Sequence, residues 1–325
     1  MGKKHLILIL KFLVSALLIY LLLQKIQFSE ILLSIRKISF GTLILIILLD
    51  ALGILIATFK WQILISRYRF SRILVVGMIG RFYSLVLPGQ LPGEALKAYY
   101  LGKGQKDMMQ ITASVILDKI CGVIGLLLTG VIGLFFTARN IPLGIILSLT
   151  ITMATMIIFL LAVRIRPLTF LLERLLKWFS YKFKFFTKLS SHSLELIDEM
   201  KNYLDRPALI FGNIILACLY QLIGIFIILL IAGNLNLEVG FIDFCWIFAI
   251  VSVALLFPVT IGGLGLREGA FLGLLGWMSV SPDKALALSL SFFGIQILDA
   301  LTGGILALLK SNNNASFKQD SALFK

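Results

Sequence analysis

Charge is what this sequence has least of. Only 14% of its 325 residues are charged, while 59% are hydrophobic and the mean hydropathy is +1.02. A water-soluble domain carries roughly a quarter charged residues, so a soluble enzyme is excluded at the outset. Thiols and imidazoles are scarce too. The three cysteines, Cys121, Cys218 and Cys245, lie inside apolar runs at spacings that match no metal or redox motif. They read as small hydrophobes. With only two histidines, His5 and His192, we expect no metal site and no cofactor. Acidic residues are outnumbered, 16 against 30 basic, which gives a net charge of +14. That excess resembles a nucleic-acid signature until the charges are located.

What the chain has in abundance is apolar helix. A helix needs about 20 apolar residues to cross the hydrocarbon of a bilayer, and residues 6–23, 42–59, 111–136, 143–163, 208–232 and 285–309 qualify. The first run is long, and Gln24-Lys25-Ile26-Gln27 after it offers no small-residue cleavage site, so it is kept as a span rather than a signal peptide. Two more apolar regions, 73–101 and 241–280, are interrupted by glycine and proline.

Lys and Arg fix the expected orientation. With the N-terminus inside, twenty basic residues fall on the inner side, nine of them in the loop 164–207 and four in 60–72 (Lys60, Arg67, Arg69, Arg72). Only five fall outside, and the remaining five lie within apolar segments. The net charge is therefore explained without nucleic acid, and both termini are expected in the cytoplasm, with the chain in the plasma (inner) membrane. Under this alternation region 73–101 begins and ends inside, and 241–280 begins and ends outside. Each must turn back within the bilayer or cross twice. At 29 residues the first is too short for two full helices; the second has room for a hairpin or a pair of spans. The expected fold is all-α: a polytopic helical membrane protein with about six full spans and two broken, re-entrant helical hairpins in inverted orientation, a pattern known from secondary transporters. Residues 1–310 would form one membrane domain and 311–325, rich in Asn and Ser, a disordered tail. Within loop 164–207, aromatic residues such as Trp178, Tyr181 and Phe185 alternate with Arg174, Lys177, Lys182, Lys184 and Lys188. That composition suits a helix in the inner headgroup layer; a plain basic connector is the simpler account.

Ionisable side chains at membrane depth cost about 2.5–3.5 kcal/mol each on insertion scales, and remain there when paired, wet or useful. The first break reads Pro88-Gly89-Gln90-Leu91-Pro92-Gly93-Glu94-Ala95-Leu96-Lys97, with Arg81 upstream. Proline removes a backbone donor and glycine permits positive φ, so the helix is expected to stop there. It restarts with Glu94 in its first turn, where the helix dipole favours a carboxylate, and with Lys97 at i+3 on the same face. The second break runs from Pro258 through Gly262, Gly263 and Gly265 to Arg267 and Glu268. The free N–H groups of a starting half-helix beside a guanidinium suit an anion such as phosphate; a packing kink with internally paired charges is the alternative. Asp118-Lys119 opens one span, and Asp299 with Gln296 lies on the last. Asp118 or Asp299 could pair with Arg81, Lys97 or Arg267, or meet a substrate directly.

At these residues the chain resembles the lysylphosphatidylglycerol synthase transmembrane family, also described as flippase-like. The matching stretches are Leu87 to Lys97, Ala113 to Lys119, Pro258 to Gly269, and the helix Ser281 to Leu290. The family more often has Arg where this chain has Lys97 and Lys119; charge is kept, the planar fork is lost. Bifunctional members carry a cytoplasmic aminoacyl-transferase domain after the membrane part, whereas fifteen residues follow position 310 here. The resemblance thus implies no aminoacyl transfer, and instead movement of a polar-headgroup lipid, aminoacylated, glycosylated or polyprenyl-linked, between leaflets. The implied partners are anionic or phosphate-bearing membrane lipids. The substrate-binding candidates are Arg81, Gln90, Glu94, Lys97, Asp118, Lys119, Arg267, Glu268 and Asp299, with no catalytic residue. Two other readings stay open: a non-catalytic partner of a glycosyltransferase or lipid synthase, docking through loop 164–207, and a lipid-phosphate transferase using Glu94 or Asp118 as general base.

Overall fold

The computed structural model describes residues 38–87, 89–105, 107–137, 141–164 and 187–312. The expected span 6–23, Pro88, the aromatic–basic stretch of loop 164–207 and most of the tail lie outside these residues. Ten helices are described, with no strand among them: α1 (Phe40–Leu64), α2 (Phe70–Val86), α3 (Leu91–Gly102), α4 (Met108–Phe136), α5 (Leu143–Arg164), α6 (Thr187–Leu204), α7 (Pro207–Asn234), α8 (Phe241–Ala254), α9 (Leu266–Trp277) and α10 (Pro282–Asn312). This is a polytopic helical membrane protein. Four helices are long and apolar enough to cross a bilayer, over Phe40–Leu64, Met108–Phe136, Pro207–Asn234 and Pro282–Ala307. They coincide with four of the six expected spans; a fifth lies in α5. Apolar side chains remain in the open along these helices, for example Leu48 at 63%, Ile158 at 62% and Phe211 at 66%. Such contiguous exposure belongs to a lipid-facing surface rather than a wetted one.

The chain divides into two compact units. One holds Ile38–Phe70 and Ala98–Val253, with α4 as its central helix. There α4 packs against α1, α5, α6 and α7, and α7 also lies along α1. Small residues set the spacing, as membrane helices without a hydrophobic drive between them require. A Cβ at Gly125 would stand 2.7 Å from the Cβ of Ala217 on α7, and one at Gly133 would stand 2.6 Å from Cβ of Cys245 on α8. The short helix α6 differs in kind. It carries polar residues on one face, and on the other Met200, Tyr203 and Leu204 close over Ala113, Leu117 and Ile120 of α4, so it caps the end of the bundle rather than spanning.

The other unit contains Ser71–Lys97 and the chain from Ala254 onward, and therefore both interrupted segments. Its backbone organiser is α10. A Cβ at Gly303 would collide with the carbonyl of Met78, and one at Gly304 would meet the Phe82 ring at 3.0 Å, so α2 lies against the C-terminal half of α10. Helix α9 lies against the N-terminal half, where Glu268 meets Ser289 and Arg267 meets Gln296. Both α2 and α9 run antiparallel to α10, one ending and the other beginning near its middle. Two half-helices thus approach from opposite ends of one long span, as the inverted arrangement of the breaks predicts.

Candidate functional site

The two breaks meet. Residue 89 donates its N–H to the carbonyl of Thr260 at 3.4 Å, and a Cβ on Gly89 would stand 2.6 Å from Cβ of Pro258. Gly262 presses equally close on the end of α2, with its Cβ position 2.9 Å from the Leu85 carbonyl. Only glycine tolerates this combination of contact and left-handed backbone: φ is 77° at Gly89, 60° at Gly262, 75° at Gly263 and 80° at Gly265.

On the α3 side the expected local pattern is present. The helix starts at Leu91 with Pro92 in its first turn, where the missing N–H costs nothing, and with Glu94 close behind. Lys97 Nζ lies 2.9 Å from Glu94 Oε2, each side chain 18% exposed. Gly80 lets the Lys97 stem lie across α2, since a Cβ there would stand 2.7 Å from Lys97 Cε. Gly93 is buried against Ser84 and the Gly80 carbonyl, and Ser84 Oγ donates to the main-chain oxygen of half-buried Gln90 at 3.3 Å.

On the α9 side the chemistry is less symmetrical than the sequence implies. Glu268 is not a loose carboxylate awaiting a cation. Its Oε2 accepts from the Gly265 N–H at 2.6 Å and its Oε1 from Ser289 Oγ at 3.3 Å, so it caps its own helix in the manner of half a capping box. The anion-favouring end of α9 is therefore served by the protein itself. Arg267, 3% exposed, is held by one nitrogen: Nη2 donates to the Gly262 carbonyl at 3.0 Å and to Gln296 Oε1 at 2.9 Å. Its guanidinium carbon lies 4.6 Å from the centre of the Phe293 ring, a cation–π contact. The remaining donors, Nε and Nη1, are buried and meet no hydrogen-bond partner, and neither does the hydroxyl of Thr260 nearby in the same break. Buried polar atoms are nearly always satisfied, so three orphans at one junction mark it out.

A second cation–anion pair is Arg81 with Asp299, Nη1 to Oδ2 at 2.7 Å, with side-chain exposures of 26% and 10%. One of the expected pairings is therefore realised. Asp299 sits one turn beyond Gln296 on α10, so Arg81 of α2 and Arg267 of α9 both address the same stretch of that helix.

Asp118 and Lys119 belong to the other unit. Asp118 pairs with Lys60 of α1, Nζ to Oδ1 at 2.5 Å. This corrects the placement of Lys60 in an inner loop: α1 continues to Leu64, and Lys60 is 5% exposed within it. A window ending where basic residues begin cuts such a helix short. Thr260 and Ser289 were also missed; a Thr or Ser in an apolar run carries no sequence signal of its orphaned or capping role. No cluster of three or more metal-ligating side chains occurs among the described residues.

Interrupted helices meeting beside a long span, with ionisable groups at the junction, define an integral membrane protein built around discontinuous helices. A family model described as the lysylphosphatidylglycerol synthase TM region matches residues 8–303. The chain belongs to that family, and is accordingly a multi-pass membrane protein of lipid-related function. No curated protein and no solved structure matches it.

Proposed function

We propose that this protein is a lipid translocase, moving a lipid with a phosphate-bearing polar headgroup between the leaflets of the plasma membrane. The observation that carries the reading is Arg267, a buried guanidinium with Nε and Nη1 unmatched at the meeting point of two helix breaks. Irregular backbone at membrane depth is tolerated where it is enclosed by protein or lines a wet cavity, and a headgroup phosphate offers the acceptors those donors lack. Arg267, Arg81 and Lys97 would neutralise the phosphate. Glu94, Glu268 and Asp299 hold the cations or the helix start in place, and the Thr260 hydroxyl supplies a further donor. Acyl or prenyl chains would stay in the bilayer while the headgroup crosses. The excess of Lys and Arg in the loops assigned to the inner side supports an orientation with both termini in the cytoplasm. The sequence contains no Gly-x-x-x-x-Gly-Lys-Ser/Thr loop, so on this reading the work comes from an ion gradient or from the lipid's own gradient.

The test is transfer of fluorescent phosphate-bearing lipids in proteoliposomes. Arg267→Ala should abolish protein-dependent transfer, and Arg267→Lys, which keeps the charge but not the fork, should restore it in part. Transfer that Arg267→Ala leaves unchanged rejects the site.

A further inference from the structure

Arg267 is held by the one nitrogen that its strongest binding mode needs. A guanidinium takes an oxyanion best through two parallel N–H groups on one edge. It has two such edges, Nε with Nη2 and Nη1 with Nη2, because Cδ separates Nε from Nη1 on the third side. Both edges contain Nη2, and Nη2 already donates to the Gly262 carbonyl at 3.0 Å and to Gln296 Oε1 at 2.9 Å. The partnerless Nε and Nη1 are thus each half of a fork whose other half is taken. No carboxylate lies within ion-pairing distance of Arg267 among the described residues, and both oxygens of Glu268 are engaged, on the Gly265 N–H and Ser289 Oγ. A cation that is 3% exposed is therefore hydrogen-bonded to neutral oxygens alone, a costly position for a buried charge. The two acceptors on Nη2 differ in kind. Gly262 is main chain in a left-handed turn, with φ of 60° and its Cβ position 2.9 Å from the Leu85 carbonyl, so its carbonyl has no room to withdraw. Gln296 is the tip of a flexible, half-buried side chain on α10, and it can turn away.

We propose that Gln296 is the placeholder for a phosphate oxygen: a phosphate group displaces its amide from Nη2 and binds Arg267 through Nη2 and the adjoining free donor together. This rests on the reading in which Arg267 meets the headgroup, and adds to it what the site selects and what competes for it. No covalent bond changes. One hydrogen bond to a neutral amide oxygen is exchanged for two parallel ones to an anion, which are the stronger. The ligand must therefore carry negative charge and two oxygens on one centre. A headgroup of hydroxyls alone has neither and leaves Gln296 where it is. Phe293 lies one turn before Gln296 on the same face of α10, with its ring centre 4.6 Å from the guanidinium carbon. That stacking holds the plane of Arg267 while the amide turns, so the edge that opens is already aimed.

The experiment measures dissociation constants by calorimetry on the full-length protein in uncharged detergent, with three probes: inorganic phosphate, phosphatidic acid and diacylglycerol. Removing a competing hydrogen bond should tighten phosphatidic acid binding roughly 2- to 10-fold in Gln296→Ala. Gln296→Asn, whose amide falls one methylene short of Nη2, should also bind tighter, and carries the test if the alanine variant does not fold. Gln296→Glu puts a full counter-charge on Arg267 and should bind weaker. If Gln296 instead served only to position Arg267, Gln296→Ala and Gln296→Asn would bind weaker than wild type. That result, or unchanged affinity in both, overturns the placeholder, as does a diacylglycerol affinity that responds to Gln296 in the same way. A response with inorganic phosphate as well as phosphatidic acid assigns the site to the phosphate group itself, and a response with phosphatidic acid alone assigns it to the lipid headgroup; both support the proposal. Arg267→Ala separates the two readings. Binding lost in Arg267→Ala but indifferent to Gln296 leaves the headgroup site standing without its placeholder, whereas wild-type binding in Arg267→Ala rejects the site itself.

Discussion

Gly89 and Pro258 touch across the two helix breaks: a Cβ at position 89 would lie 2.6 Å from Cβ of Pro258 and 2.9 Å from its Cα. The second atom is backbone and cannot swing aside. The φ of 77° at Gly89 adds strain for any other residue, on the order of 1–3 kcal/mol. Gly104 provides an internal control, because it has the same φ of 77° but nothing within 4 Å of its Cβ position. Gly89→Ala should therefore lower the melting temperature in detergent by more than Gly104→Ala, and should cut lipid transfer where Gly104→Ala does not. Equal losses in the two variants would mean that the contact between the breaks has no effect of its own.

Arg81 and Asp299 form a pair whose acid is the more deeply set partner. Removing Arg81 strands a nearly buried carboxylate, and such a loss costs up to about 3–5 kcal/mol when the partner is fully enclosed. Because Arg81 is 26% exposed, water relieves part of that, and a loss nearer 1–2 kcal/mol is expected after this screening. Arg81→Ala should destabilise the protein more than Asp299→Asn. The double variant should be more stable than the sum of the two, as a double-mutant cycle on denaturation in mixed micelles would measure.

Glu268 caps α9 through the Gly265 N–H and holds Ser289 at its other oxygen. A lost cap costs about 0.5–2 kcal/mol. Glu268→Ala should fall in this range, Glu268→Gln should lose less because an acceptor remains, and Ser289→Ala least of all. Were Glu268 a headgroup ligand and not a cap, Glu268→Gln would abolish transfer while leaving denaturation midpoints untouched.

The local signals in the sequence reached far, and stopped where contacts span the chain. Pro92, Gly93 and Glu94 announce a helix start because each acts within one turn, and α3 begins there. Gln296 and Asp299 are three apart on α10, so their shared face was legible. Their partners were not: Arg267 lies 29 positions from Gln296 and Arg81 lies 218 from Asp299, and nothing in composition or periodicity links such pairs. Asp118 with Lys60 shows the same gap more sharply, since Lys60 stood among basic residues that obey the inner-loop rule and was counted with them. The adjacent glycines 303 and 304 on α10 were the overlooked clue. Two small residues inside an apolar span mark a close helix approach, and α2 packs there.

The last prediction concerns α6, which lies outside the spans. Tyr203, on its inner face, is 5% exposed; burial, with a contribution from the Glu199 carboxylate, raises its phenol from 10.0 to about 12. The folded protein therefore keeps this proton after the unfolded chain has released it. Its contribution to stability is complete below the unfolded value, about pH 10, and is lost as pH rises through the folded value. Melting temperature should fall across that alkaline window in the wild type, and Tyr203→Phe should flatten the fall. Ultraviolet titration of the folded protein should contain a late phenolate component missing from the variant. A phenol at position 203 that ionises near pH 10 would show that α6 does not stay closed over α4.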